Sequence, residues 1–260
     1  MIRILFAGSP EAAKKTLEIL NGAKSEIGFE IAGVLSNPPS AKGRHKELIP
    51  TPVAAFAQEN NLPVFTPEHL DADAREQVSK INADLLVCFA YGHIFGPKFM
   101  ALFKLGGINL HPSLLPKYRG CSPVPAAILN QDDQTAVTIQ TISPKMDEGN
   151  ILAQTIVDLN KTETSESLLH ESAVTGAKLI CGILKETAER NRLPEGKKQE
   201  GEASYTGMIT KNDGKINWSE SAASIEAKIR AFFPEPGCWT SFNKIQSIPL
   251  LVVGLEQLTV

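Results

Sequence analysis

Short runs rich in apolar and β-branched residues, separated by stretches of helical spacing, restrict this chain more than any other feature of its sequence. Residues 2–7, 29–35, 85–90, 108–110 and 137–142 are strand candidates. Between them, residues 12–20 can form a helix, Thr51 places a capping hydroxyl before Pro52 at a favoured first-turn position, and Pro97 opens another helix. This alternation predicts an α/β fold with a doubly wound, mostly parallel, Rossmann-like sheet, whose ligands sit beyond the carboxyl ends of the strands. Residues 151–159 read as one more strand, at an edge. The clearest helix follows: Leu169, Ala173, Gly176, Ala177, Ile180 and Leu184 share one face, Thr164 or Ser165 can cap it, and Glu166 lies in its first turn. It is expected to end near Arg192-Leu193-Pro194.

A chain of 260 residues exceeds a typical single core, so a large domain with a smaller appendage is expected. The stretch 195–204 carries Gly196, Lys197, Lys198 and Gly201 and almost no apolar residue, which marks a linker. The expected division is therefore a domain over 1–194, a linker over 195–204 and a short β-rich unit over 205–260. That last unit holds a helix near 222–232 and apolar segments at 238–242 and 250–255, and its size makes it marginal by itself.

Composition excludes several classes. With 42% apolar and 21% charged residues, no apolar run reaches the roughly 20 residues that span a bilayer, so no membrane association is expected. The start of the chain passes straight from Met1-Ile2-Arg3-Ile4-Leu5-Phe6 to Gly8-Ser9-Pro10, without the pattern of a secretory signal. Cys88, Cys121, Cys181 and Cys238 are scattered, with no spacing for zinc or a disulfide framework, and a reducing cytoplasmic setting without a bound metal is expected. The net charge of −3 carries no global signature of nucleic-acid binding, but Lys42, Arg44 and Lys46 form a local basic cluster with His45. Any nucleic-acid contact is therefore expected to be local.

The residues able to carry chemistry cluster in two places. In an extended segment alternate side chains share a face, so Asn109 and His111 project together at a strand end while Ile108 and Leu110 turn the other way. An amide donor and an imidazole near its own titration point can hold a developing oxyanion during attack on a carbonyl. Downstream, after another strand, Asp147 in Asp147-Glu148-Gly149 could orient His111 or handle protons. Taken alone, each fragment also reads as ordinary structure: Asn109 bonding a turn with His111 packed beside it, and an Asp-x-Gly turn at Asp147.

The whole run Asn109-Leu110-His111-Pro112-Ser113-Leu114-Leu115-Pro116-Lys117-Tyr118-Arg119-Gly120, followed by Asp147-Glu148-Gly149, resembles the signature of the folate-dependent formyltransferases. The resemblance implies a catalytic trio of Asn109, His111 and Asp147, and folate contacts from Ser113, Leu114, Leu115 and Pro116. It also implies a pterin-lining segment at Phe89, Ala90, Tyr91 and Gly92, followed by His93-Ile94. Within the superfamily the chain is similar, from residue 2 to about residue 250, to the branch acting on methionyl-tRNA. Three segments carry that likeness: Gly43-Arg44-His45-Lys46-Glu47-Leu48-Ile49-Pro50-Thr51-Pro52-Val53, the Ala90-Tyr91-Gly92 turn, and Gly214-Lys215-Ile216-Asn217-Trp218 with Ile229-Arg230-Ala231-Phe232. The implied reaction moves the formyl group of 10-formyltetrahydrofolate to initiator methionyl-tRNA, with Lys42, Arg44 and Lys46 toward the tRNA.

The chain departs from the family pattern at Asn37-Pro38-Pro39-Ser40-Ala41-Lys42, where an Asp-Arg pair is common, and at Ala136, where Gly is common. The family's C-terminal barrel also runs past the point where this sequence stops, so a shortened C-terminal unit is expected. Two variants of the chemistry stay open at this level, an amino-sugar nucleotide as acceptor and hydrolysis of the formyl donor. A dehydrogenase is disfavoured because Gly8-Ser9-Pro10-Glu11-Ala12-Ala13 lacks the G-x-G-x-x-G fingerprint. A purely RNA-binding role for Lys42, Arg44 and Lys46 leaves the trio unexplained.

Overall fold

The structure, a computed structural model, describes residues 1–42, 47–242 and 245–250, with the backbone alone described at 42, 242 and 245–250. In chain order its first half contains β1 (Ile2–Gly8), α1 (Glu11–Ile27), β2 (Phe29–Leu35), β3 (Ser40–Lys42), β4 (Glu47–Ile49), α2 (Pro52–Glu59), β5 (Val64–Phe65), α3 (Ala72–Ser79), β6 (Leu85–Phe89), α4 (Pro97–Met100) and β7 (Gly107–His111). There follow β8 (Arg119–Gly120), α5 (Pro123–Leu129), β9 (Gln134–Thr141), β10 (Ile151–Asp158), α6 (Ser165–Arg190), β11 (Tyr205–Thr206), α7 (Ala222–Ala231), β12 (Cys238–Phe242) and β13 (Ile245–Leu250). The chain divides into two compact units, each discontinuous in sequence. The first takes Met1–His111, Val137–Thr155 and His170–Gly201, and the second Pro112–Ala136, Ile156–Leu169 and Glu202–Val260.

The first unit is built on a sheet of order β10-β9-β7-β6-β1-β2-β5. From β5 to β7 every neighbouring pair is parallel, while β9 runs antiparallel to β7, so the expected mostly parallel sheet is present with β10 at its edge. The order reverses direction between β1 and β6, which makes their carboxyl ends the switch point of the sheet. Gly8 is required there, because a Cβ would lie 2.7 Å from the Phe89 carbonyl oxygen and 2.8 Å from Ala13 Cβ.

Both faces of this sheet are covered, which is why its strands read as near-continuous apolar runs. Leu5, Ala7, Leu86 and Cys88 share one core with Val78 of α3 and Phe99 of α4. On the other face α6 comes so close to β7 that a Cβ on Gly176 would lie 2.1 Å from Leu110 Cδ1. Local signals set the helix ends. Thr51 Oγ1 accepts the Ala54 N–H at 3.1 Å to cap α2, Asp71 caps α3 through the Ala74 N–H, and α1 stops at Gly28 with φ +86.

In the second unit β8 pairs in parallel with β11, and Gly120, at φ +106, lets the Thr206 carbonyl approach where a Cβ would sit only 2.2 Å away. Helix α5 lies against α7. Arg230 of α7, 4% exposed, is held by both carboxylate oxygens of Glu226 and donates to the Glu163 carbonyl at 3.0 Å. Thr164 caps α6 reciprocally: its hydroxyl accepts the Ser167 N–H and Ser167 Oγ accepts the Thr164 N–H. Strands β12 and β13 form an antiparallel pair. The expected apolar segment 250–255 lies outside the described residues after Leu250. Among the described residues no helix is long and apolar enough to cross a membrane.

Candidate active site

Three adjacent strands of the first unit present one polar face. Cys88 of β6 stands opposite Asn109 of β7, Asn109 opposite Gln140 of β9, and His111 opposite Thr138. Directly opposed residues point to the same side of a sheet, so Cys88, Asn109, His111, Thr138 and Gln140 share a face. Leu110, between the two polar residues of β7, turns toward Gly176 instead. The alternation expected of Asn109 and His111 is therefore present. Asn109 is half-buried and His111 is 4% exposed, so the imidazole works in a medium that strengthens its electrostatic interactions.

The segment after β9 returns a carboxylate to this face. Asp147 Oδ1 lies 3.6 Å from His111 Nδ1. That separation is longer than a hydrogen bond but places the carboxylate beside Nδ1 of the imidazole. Asp147 has φ +54, in the left-handed region that favours glycine, and its turn is fixed from several sides. Thr141 N–H donates to the Asn150 carbonyl and Thr141 Oγ1 accepts the Asn150 N–H, each at 2.9 Å. Gly149 packs so tightly on β9 that a Cβ would fall 1.7 Å from the Thr141 carbonyl oxygen. Gln140 Nε2 donates to Asp147 Oδ1 at 2.8 Å, and Gln199 Nε2 reaches the Asp147 and Gly149 carbonyls at 2.7 and 2.9 Å. Neither glutamine stands out in the sequence; the faint signal for Gln140 is its place on the predicted strand 137–142.

Cys88 belongs to the same neighbourhood but not to its chemistry. Burial, with the Asp147 charge adding to it and a hydrogen bond from Tyr91 opposing, pushes its thiol up to about 12. The group is neutral and unreactive at physiological pH.

The remaining expected residues fall in distinct settings. Phe89 and Tyr91 are buried, Tyr91 with its ring stacked on Phe95, while Ala90 and Gly92 between and after them are exposed with φ +51 and +86. Burial pushes the Tyr91 phenol up to about 12, with Cys88 adding to it, and its buried hydroxyl has no hydrogen-bond partner among the described residues. Asn37 Nδ2 donates to the Tyr91 carbonyl at 3.2 Å. In the second unit Ser113 is fully buried and donates to the Lys117 carbonyl at 2.6 Å; Leu115 is buried, and Leu114 and Pro116 are half-buried. The Lys42 side chain, Arg44 and Lys46 lie outside the described residues.

The family model described as formyl transferase matches residues 2–183, and the model described as formyl transferase, C-terminal domain, matches residues 208–257. The methionyl-tRNA formyltransferase of Treponema denticola is 45% identical over 98% of this chain and 80% of its own length. An N-formyltransferase from Helicobacter canadensis, solved with folinic acid and dTDP-3-aminofucose, is 25% identical over 94% of this chain and 85% of that one, with a TM-score of 0.65. The methionyl-tRNA formyltransferase from Clostridium thermocellum superposes with a TM-score of 0.65 over 94% of this chain and 89% of its own, and at 18% identity that likeness speaks for the fold alone.

Proposed function

The chain belongs to the formyl transferase family, and from that premise we propose that it moves the formyl group of 10-formyltetrahydrofolate to the amino group of methionyl-tRNA, giving formylmethionyl-tRNA. One observation carries the chemistry: Asn109 and buried His111 share a strand face, and the Asp147 carboxylate stands 3.6 Å behind the imidazole. The neutral amine attacks the formyl carbon. The carbonyl electron pair moves onto oxygen, and Asn109 with the His111 imidazolium holds that charge. Collapse of the tetrahedral intermediate breaks the bond to N10. Asp147 stabilises the imidazolium and passes on the proton lost by the amine, directly or through water, so that tetrahydrofolate leaves with a protonated N10. Nothing in this sequence of steps calls on a metal.

Folate is placed by Phe89, Ala90, Tyr91 and Gly92 and by Ser113 to Pro116 in this reading. Its support is the resemblance, together with the open backbone at Ala90 and Gly92 near the sheet's switch point and the folinic acid bound to the Helicobacter relative. A Cβ at Gly92 would meet nothing within 4 Å, so the main chain there can approach a flat ligand. The catalytic domain is assigned to 1–194, the linker to 195–204 and the C-terminal tRNA-binding unit to 205–260, supported by family matches that fall on either side of 195–204. Lys42, Arg44 and Lys46 are assigned to the tRNA, and the site of action to the cytoplasm, where initiator tRNA is charged.

An acceptor panel tests the assignment. With 10-formyltetrahydrofolate as donor, turnover is expected on methionyl-tRNA and not on a UDP- or dTDP-linked amino sugar. Turnover on the amino sugar alone, or hydrolysis to formate at the same rate without any acceptor, would overturn it.

A further inference from the structure

Resting on the reading that Asp147 supports His111, we propose that Gln199 and Gln140 are positioning residues, which aim the Asp147 carboxylate at the imidazole from a point outside the catalytic trio. Gln199 Nε2, with two amide protons, reaches the Asp147 carbonyl at 2.7 Å, the Gly149 carbonyl at 2.9 Å and Gln140 Oε1 at 3.2 Å. The two shorter bonds tie together the first and third residues of the Asp-Glu-Gly turn. Left-handed backbone at a non-glycine residue persists only where its surroundings over-determine it, and this pair of bonds supplies that at Asp147.

The third contact sets a direction. Because Gln140 Oε1 faces the Gln199 amide, Gln140 must present its NH2 to Asp147 Oδ1, at 2.8 Å. The opposite flip would set an amide oxygen against a carboxylate and a donor against a donor. The oxygen that receives this charge-assisted bond is the one 3.6 Å from His111 Nδ1. Gln140 also sits across from Asn109 in the β7–β9 register, so a single amide adjoins both sides of the oxyanion machinery. The path therefore runs from Gln199 through Gln140 to Asp147 and His111. A role limited to holding the turn predicts lost stability with an unaltered pH profile, whereas positioning predicts a kinetic effect that depends on the Asp147 charge.

The test uses the full chain with Gln199→Leu, Gln140→Leu and Asp147→Asn, singly and in pairs. Each is measured for kcat across pH, KM for 10-formyltetrahydrofolate and melting temperature. The expected result is a fall in kcat of roughly tenfold or more in either Gln variant, with KM within about twofold and a displaced pH profile, since the carboxylate is no longer aimed at the imidazole. In the Asp147→Asn background either Gln change should cost less than about threefold, because interacting residues are not additive. Parental kcat and pH profile in the Gln variants, or the same fold-loss in both backgrounds, would overturn the proposal. Should Gln199→Leu fail to fold, Gln140→Leu leaves both turn bonds in place, and its additivity with Asp147→Asn decides. Parental turnover in Asp147→Asn alone would instead remove the catalytic reading beneath the proposal, an outcome distinct from an impaired Asp147→Asn beside fully active Gln variants.

Discussion

His111 sits at the point where burial and charge meet, with 4% of its surface exposed and a carboxylate behind it. On the proposed mechanism each of these two side chains holds the oxyanion, so His111→Ala and Asn109→Ala should each lower kcat by on the order of a hundredfold or more with the fold unchanged. Steady-state kinetics beside circular dichroism checks this, and near-parental turnover in either variant would remove the assignment. Cys88 gives a second residue-level expectation. Below its ordinary value near 9 the thiol is neutral in folded and unfolded chains alike, and its contribution to stability is complete. Between there and about 12 only the unfolded chain ionises, so that contribution is lost as pH rises through the window. Iodoacetamide at pH 8 should therefore label exposed Cys121 and spare Cys88 until the protein unfolds, as peptide mass mapping would show. The shared face of Asn109 and His111 was legible because a strand alternates its side chains, and Asp147 drew notice because the run around it has a family pattern. Gln140 and Gln199 were not legible, since a glutamine that satisfies buried carbonyls looks in sequence like one that faces water.

At the scale of elements, α6 shows what spacing can and cannot tell. Its apolar face was readable from residues 169–184, and its reciprocal Thr164–Ser167 cap from the hydroxyls before it. Its two glycines differ as the spacing implies, Gly176 lying on the predicted apolar face and Gly182 off it, but only the structure shows how close the approach at Gly176 is. At Gly182 a Cβ meets nothing within 4 Å, whereas at Gly176 it meets Leu110 Cδ1 at 2.1 Å and Val137 Cγ1 at 3.3 Å. Gly182→Ala should therefore stabilise by about 0.5–1 kcal/mol, the helix-propensity difference. Gly176→Ala gains the same propensity but overpacks the α6–β7 contact, which costs about 1–3 kcal/mol, so the net sign is destabilising. Urea denaturation of the two variants would show opposite shifts in midpoint; equal shifts would mean that α6 does not seat on β7 this closely. The two-residue strands β5, β8 and β11 were not legible, because runs so short carry no period. The β8–β11 pairing joins residues 86 apart, as in Arg119↔Tyr205, through a tertiary arrangement that no local pattern encodes.

On the proposed function a chain of net charge −3 has to hold a polyanion. Overall charge repels tRNA weakly, so attraction has to be concentrated, and Lys42-Gly43-Arg44-His45-Lys46 is the densest basic run in the sequence. Prolines at 38, 39, 50 and 52 flank it, and β3 and β4 pair antiparallel from Ser40↔Ile49 to Lys42↔Glu47, which holds its two ends together. Arg44 is the residue of choice for phosphate, since its planar fork gives two parallel bonds where a lysine gives a point charge. Each phosphate contact releases condensed counterions and so contributes affinity that falls with salt. Arg44→Ala should raise KM for methionyl-tRNA, reduce the slope of log affinity against log salt by about one, and leave KM for 10-formyltetrahydrofolate within about twofold. Lys42→Ala should do the same to a smaller extent. A salt series from about 50 to 200 mM, a range over which several phosphate contacts change affinity by orders of magnitude, resolves the difference. A curve for Arg44→Ala that superimposes on the parental one would place the tRNA-binding charge elsewhere and leave the basic run as a solvated surface.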